Sequence, residues 1–177
     1  TKITLKDVEC ADRLGCVIKL IGRAVRCGDG TAYAFVAPHL VRKESPLAAV
    51  EDVFNAIMVE GNATGDVMFY GKGAGKLATA SAVCADMLDC IEHREHRRRI
   101  SWGDGSKKLL RPLEGFVSPW YVRFQGSRAA LEAALPCESV REVGGELAAS
   151  VSALSTGELK ARRGKLEGSV LSARRVL

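Results

Sequence analysis

The sequence predicts an α+β fold: a mostly antiparallel sheet with helices on one face, followed by a small βαββαβ unit. Three observations predict it. Apolar runs separated by glycine-containing turns fill the stretch from Cys16 to Tyr70. A long segment after Gly75 has helical spacing, and the residues after Pro119 read strand, helix, strand, strand, helix, strand, which is the split βαβ order.

Each element has a local cause. Thr4 followed by Asp7 forms a capping box, predicting a short helix from Leu5 to Leu14 that stops at Gly15. Cys16 to Val25 reads as a strand, and the apolar residues Val17, Ile18, Leu20 and Ile21 predict cover on both faces. Gly28-Asp29-Gly30 turns this strand into Thr31 to Val36 as a hairpin. Ser45 as N-cap and Pro46 at the first helical position predict one or two helical turns over Leu47 to Glu51. Strands at 54–59 and 66–70, joined by a turn at Gly61 to Gly65, complete the sheet. From about Ala78, apolar residues at 80, 83, 84, 87, 88 and 91 predict a helix with one buried face. Ile100 to Ser118, rich in glycine and proline, reads as a linker. Beyond it come strands at Trp120 to Phe124, Ser139 to Val143, Leu147 to Leu154 and Val170 to Leu177. A helix over Ser127 to Leu135 is ended by Pro136, and a Ser155/Glu158 capping box starts another that runs to about Leu166. The expected domains are therefore 1–99 and 119–177, with the linker at 100–118.

Composition narrows the class of protein. With 177 residues, 47% hydrophobic and 27% charged, the chain has the make-up of one or two globular domains. Neither a signal peptide nor an apolar run of membrane-spanning length is present, so a cytoplasmic protein without membrane contact is expected. The six cysteines form no Cys-x-x-Cys pair and predict buried free thiols, Cys84 on the apolar helix face among them. His93 and His96 are three apart, but the adjacent Arg94, Arg97, Arg98 and Arg99 argue against a metal there, and no metal site is assigned. The net charge of +5 concentrates at Glu92 to Arg111 and at Lys160 to Lys165. Aromatic residues are not interleaved with these basic runs as a stacking platform requires, so no nucleic-acid partner is expected.

The segment with chemical content is Gly71-Lys72-Gly73-Ala74-Gly75, between an apolar run and the long helix. Such a loop presents backbone N–H groups and a helix N-terminus, both of which favour an anion. The spacing matches neither the dinucleotide fingerprint nor the P-loop: Lys76 stands where the first needs glycine, and Tyr70 and Leu77 break the second.

The run V-x-G-x-A-x-G-D-V-M-F-Y-G-x-G-A-G-K-x-x-T-A-S-A-V-x-A-D, from Val59 to Asp86, resembles the hallmark segment of bacterial homoserine dehydrogenases. Three upstream pieces resemble that family in the same order: Ile3-Thr4-Leu5 with Asp7, Leu14-Gly15 through Gly22, and Pro46-Leu47-Ala48 followed by Phe54-Asn55-Ala56. The resemblance implies reduction of aspartate 4-semialdehyde to homoserine with NADP or NAD as cofactor, on the route to threonine and methionine. It implies a homodimer formed through the substrate-domain sheet. It also places Gly75 beside the nicotinamide, with Gly73 and Ala74 as supporting backbone. The family's nucleotide-binding domain and proton-donating lysine belong to segments before the one matching Ile3. The chain is thus expected to be a C-terminal part of the enzyme, inactive by itself, and no catalytic residue is assigned.

The βαββαβ order resembles the ferredoxin-like ACT domain, which in this family senses an amino acid such as threonine. The loop after its first strand reads Gln125-Gly126-Ser127-Arg128-Ala129, where that domain usually carries Asp, Pro and Gly, so no effector-binding residues are assigned. Two other classes remain alongside the dehydrogenase: a free-standing amino-acid-sensing module, and a basic RNA-binding module. Neither accounts for the ordered match from Ile3 to Asp86.

Overall fold

The computed structural model describes residues 3–94, 103 and 108–177. In order these form α1 (Leu5–Arg13), β1 (Cys16–Arg26), β2 (Ala32–Arg42), β3 (Phe54–Gly61), β4 (Gly65–Lys72) and α2 (Lys76–Glu92). They continue as β5 (Val117–Gln125), α3 (Arg128–Ala134), β6 (Cys137–Val143), β7 (Glu146–Ser155), α4 (Thr156–Arg163) and β8 (Ser169–Val176). Short 3-10 turns lie at Pro46–Ala49 and Leu113–Gly115.

The expected elements form where their local signals place them. The Thr4 side chain accepts from the Asp7 N–H, and the Asp7 carboxylate accepts from the Thr4 N–H at 2.9 Å, closing the box that starts α1. Gly15, at φ +71°, ends it in the left-handed conformation that only glycine adopts without strain. A second box, Ser155 with Glu158, starts α4. β1 and β2 pair antiparallel along their whole length from Cys16↔Arg42 to Arg26↔Ala32.

How the strands associate differs from the expected layout. The chain forms two compact units, one of Thr1–Ala48 with Lys107–Leu177 and one of Ala49–Ser106. In the first, the β1–β2 hairpin joins the βαββαβ strands in one six-stranded sheet of order β1-β2-β8-β5-β7-β6. The junction is parallel pairing of β2 with β8 at His39↔Arg175 and Leu40↔Val176; the last four strands keep the antiparallel 4-1-3-2 order of a ferredoxin-like unit. The expected partition into 1–99 and 119–177 is therefore not the spatial one: residues on both sides of the linker share a sheet. Part of that linker, 100–102 and 104–107, lies outside the described residues, while Leu110 already pairs with Ala32.

Alternate residues of β5 point to opposite faces and build two cores. Trp120, Val122 and Phe124 pack with Leu131 and Leu135 at α3 and Leu159 of α4. Tyr121 packs on the other face with Cys10 and Ala11 of α1, Cys16, Leu40 and Ala148. Beside this second cluster Arg123 makes ion pairs with Asp7 at 3.0 Å and with Glu146 at 3.1 Å, fastening α1 to β5 and β7. Burial pushes the Asp7 carboxyl up, but hydrogen bonds from Thr4 and the Arg123 charge outweigh this and hold it below its ordinary value.

Three expectations are corrected. β1 is not covered on both faces: Leu20 is 73% exposed, because α1 is too short to reach along the strand. β3 and β4 do not complete the main sheet but pair with each other alone, from Phe54↔Lys72 to Gly61↔Gly65. The face of α2 expected to be buried is exposed along its length, including Val83, Met87, Leu88 and Ile91, and Cys84 and Cys90 are exposed thiols. Amphipathic spacing records which face could be covered; only a neighbour covers it, and the described residues of the second unit supply none. Cys10 and Cys16 are the buried pair. Among the described residues no helix is long and apolar enough to cross a membrane.

Candidate cofactor-facing loop

The second unit is a hairpin that feeds a glycine loop into α2. Phe54 and Tyr70 stack at 4.9 Å across the strands, fixing the end of the hairpin from which the loop emerges. The Gly73 N–H donates to the Val53 carbonyl at 3.2 Å, which ties the loop back to the start of β3. A Cβ at Gly73 would lie 1.6 Å from Nδ2 of Asn55, so a larger residue there must displace the Asn55 side chain. Sequence reasoning did not assign Asn55 this part, although it stands within the Phe54-Asn55-Ala56 piece that carries the resemblance.

Gly75 is the N-cap of α2, at φ +114° and ψ 152°, and no side chain caps the helix. Its carbonyl accepts the first intrahelical bond, from the Thr79 N–H at 3.0 Å. A Cβ at Gly75 or Gly71 would meet nothing within 4 Å, so the space above both is open. Gly75 is therefore glycine first because of its backbone dihedral. The first turn of α2 has no side-chain cap for its N–H groups, at the positive end of the helix dipole. This arrangement can donate to a carboxamide, a phosphate or another acceptor. Gly71, Gly73, Ala74 and Gly75 thus lie together where β4 runs into α2; the Gly73 N–H is engaged with the Val53 carbonyl, and the positions beside Gly71 and Gly75 are open.

The two nearby carboxylates stand apart from the loop. Glu60 pairs with Asp66 at the opposite end of the hairpin from Asn55↔Gly71, five residues or about 17 Å along the strand. His93 pairs with Asp89 at 3.1 Å at the end of α2, and His96 lies outside the described residues. Among the described residues no three His, Cys, Asp or Glu side chains come together as a metal site. The described basic residues of α4 are engaged locally. Lys160 pairs with Glu114 at 3.6 Å, Arg162 donates to the Ala134 carbonyl, and Arg163 donates to that of Val170.

Besides Arg123, the first unit buries the cation Arg175, which no sequence signal announced. Arg175 is 4% exposed, and its guanidinium lies over Trp120 at 4.4 Å, Phe116 at 5.0 Å and Phe35 at 5.2 Å. It donates to the hydroxyls of Ser118 at 2.6 Å and Thr156 at 2.5 Å. Burial and the nearby Arg23 lower its affinity for a proton. His39, fully buried next to it in the sheet, is likewise held below its ordinary value by burial and the two arginines.

The chain is thus an α+β protein with a ferredoxin-like strand order in its first unit and an uncapped glycine loop in its second. The sequence model described as homoserine dehydrogenase matches residues 1–88. Homoserine dehydrogenases from Synechocystis and Mycobacterium leprae are 36% identical over 136 residues and 42% identical over 130 residues. These alignments cover 69% and 68% of this chain and 30% and 28% of the relatives. The crystal structure of a homoserine dehydrogenase from Thiobacillus denitrificans matches 99% of this chain and 46% of its own with a TM-score of 0.83, at 24% identity. That of the S. aureus enzyme matches 99% and 45% with a TM-score of 0.71, at 37% identity. This chain belongs to the homoserine dehydrogenase family, and it spans about 30% of the length of the curated relatives it matches.

Proposed function

We propose that the chain is the C-terminal part of an enzyme that reduces aspartate 4-semialdehyde to homoserine, serving threonine and methionine synthesis. The observation that carries this reading is the match over residues 1–88, which runs through the glycine loop. The cofactor, NADP or NAD, supplies the hydride when bound. What this chain contributes is the loop from Gly71 to Gly75. Gly73 and Ala74 bring backbone close, Gly75 leaves room for the nicotinamide half, and the start of α2 orients an acceptor through its free N–H groups. The principal cofactor contacts and the proton-donating lysine are assigned to other segments of the enzyme, so the 177 residues alone turn over no substrate.

The same reading makes the protein a cytoplasmic homodimer and gives the βαββαβ unit a sensing role of the ACT type, with an amino acid as effector. Exposed Ile57, Val59, Val67 and Phe69 on β3 and β4 support a partner on that hairpin, since paired apolar strands with open faces seek cover.

The test is NADPH oxidation with aspartate semialdehyde, measured on the enzyme that carries this chain and on the chain alone. Turnover by the former and none by the latter is expected. Turnover by the isolated chain would overturn the division of labour. A carrying enzyme without activity on this substrate would overturn the function.

A further inference from the structure

Two arginines of the first unit lie against one ring. Arg23 belongs to β1, the edge strand of the six-stranded sheet, and Arg175 to β8. Their guanidiniums stand 5.3 Å and 5.0 Å from the centroid of Phe116, close enough for the charge of Arg23 to act on Arg175. Like charges at this range repel, and neither arginine has a carboxylate partner among the described residues. The surrounding aromatic faces attract a cation but carry no net charge to offset it. Of the five N–H groups of the Arg175 guanidinium, the hydroxyls of Ser118 and Thr156 take two. Arg23, half-buried, forms no hydrogen bond with a described residue.

His39 completes the group. It stands in register with Arg175 where β2 meets β8, stacks on Phe35 at 5.9 Å and is fully buried. Its Nδ1 lies 2.9 Å from the Ala37 carbonyl, which can only accept, so Nδ1 carries the proton and Nε2 is a bare acceptor. That Nε2 has no partner. Burial and the charges of Arg23 and Arg175 hold the ring neutral. A buried acceptor of this kind is satisfied only by a group that donates to it.

Cationic donors and one neutral acceptor thus come together. Sulfate or a carboxylate at neutral pH satisfies the donors alone, whereas hydrogen phosphate satisfies both: its charged oxygens accept and its P–OH donates. We propose that Arg23, Arg175 and His39 form a binding site for inorganic phosphate. Arg23 and the remaining N–H groups of Arg175 hold the charged oxygens, and the P–OH donates to Nε2 of His39. The ion enters on the side of Arg23, at the sheet edge, and the long Arg23 side chain folds over it. His39 and Arg175 form one of the two residue pairs that join β2 to β8, so a bound ion fastens the β1–β2 hairpin to the βαββαβ strands. The site uses no residue of the glycine loop and rests on no part of the dehydrogenase reading.

Isothermal titration of the carrying enzyme with inorganic phosphate tests this, at neutral pH and constant ionic strength, with NADP in excess to fill any cofactor phosphate site. Sulfate is the comparison ion. Saturable phosphate binding is expected, with sulfate at least about tenfold weaker. Arg23→Gln should raise the dissociation constant for both ions at least about tenfold. His39→Leu should leave sulfate binding as it is and weaken phosphate to the same level, because only the acceptor of the P–OH is lost. Thermal melts verify that the variants fold; if His39→Leu does not, Arg23→Gln and the preference for phosphate over sulfate decide. Lack of saturation by about 10 mM, equal affinity for the two ions, unchanged affinity in Arg23→Gln, or a phosphate preference retained in folded His39→Leu overturns the proposal and marks any binding as an adventitious ion only.

Discussion

At the scale of single residues, Arg175 and Gly75 show two different reasons for a residue's identity. Arg175 sits among three aromatic rings and two hydroxyls with no carboxylate beside it among the described residues, so packing and cation–π contacts, rather than an ion pair, hold the site. Neutral His39 avoids adding a third positive charge to Arg175 and Arg23. Arg175→Ala is expected to cost about 2–4 kcal/mol in denaturant unfolding, whereas Arg175→Met, which refills the space, should cost less than about 1.5 kcal/mol. Equal losses in the two variants would mean that the charge itself is what matters. At Gly75 the backbone decides. With φ at +114° and open space where a Cβ would stand, Gly75→Val strains the chain by about 1–3 kcal/mol and places a branched side chain on the proposed nicotinamide side. In the carrying enzyme, cofactor titration should show weakened NAD(P)H binding; unchanged affinity would remove Gly75 from the site.

At the scale of elements, α1 is held by the burial of Cys10 and Ala11 and by one ion pair. It has nine residues, a length at which an isolated helix does not persist, and its anchor is Asp7 against Arg123. Removing one partner of a buried pair leaves the other uncompensated. Asp7→Ala should therefore destabilise the first unit by about 3 kcal/mol, toward the low end of such losses because Glu146 still faces Arg123. The pH dependence has a definite sign. The folded carboxyl is held below its ordinary value, so its contribution is present above about pH 4 and is lost as the pH falls through the lowered value. Acid unfolding curves of Asp7→Asn should lack that part of the slope; a curve parallel to the unaltered protein's would refute the role of Asp7. For α2 the same reasoning gives the opposite result: apolar spacing without a neighbour leaves Leu77 87% exposed at its start.

At the scale of the whole molecule, the joint sheet makes the two ends of the chain interdependent. β2 has β8 as its neighbour, and the Arg175 cage takes Phe35 from β2 and Trp120 from β5. A chain ending at residue 106 would leave β1 and β2 as a two-stranded ribbon with an open edge, which is marginal in water. It is expected to lose the cooperative thermal transition of the 177-residue chain; a retained sharp transition would show that the hairpin is an independent domain.

Much of this was legible in the sequence because it depends on near neighbours along the chain. Thr4/Asp7 and Ser155/Glu158 fix helix starts within four residues, Gly15 and Gly28-Asp29-Gly30 fix turns, and the ordered motif from Val59 to Asp86 identifies the family. Periodicity read the faces of α2 and β1 without saying whether anything lies against them. Strand partnership and burial are decided by residues far apart in the chain: β2 beside β8, Asp7 under Arg123, Arg175 among Phe35, Phe116 and Trp120. Local signals carry no term for such contacts, which is why the sequence by itself determined the elements and the family, while β2 runs six residues beyond the expected Val36, to Arg42. The shared sheet and the buried cation were decided only by the tertiary structure.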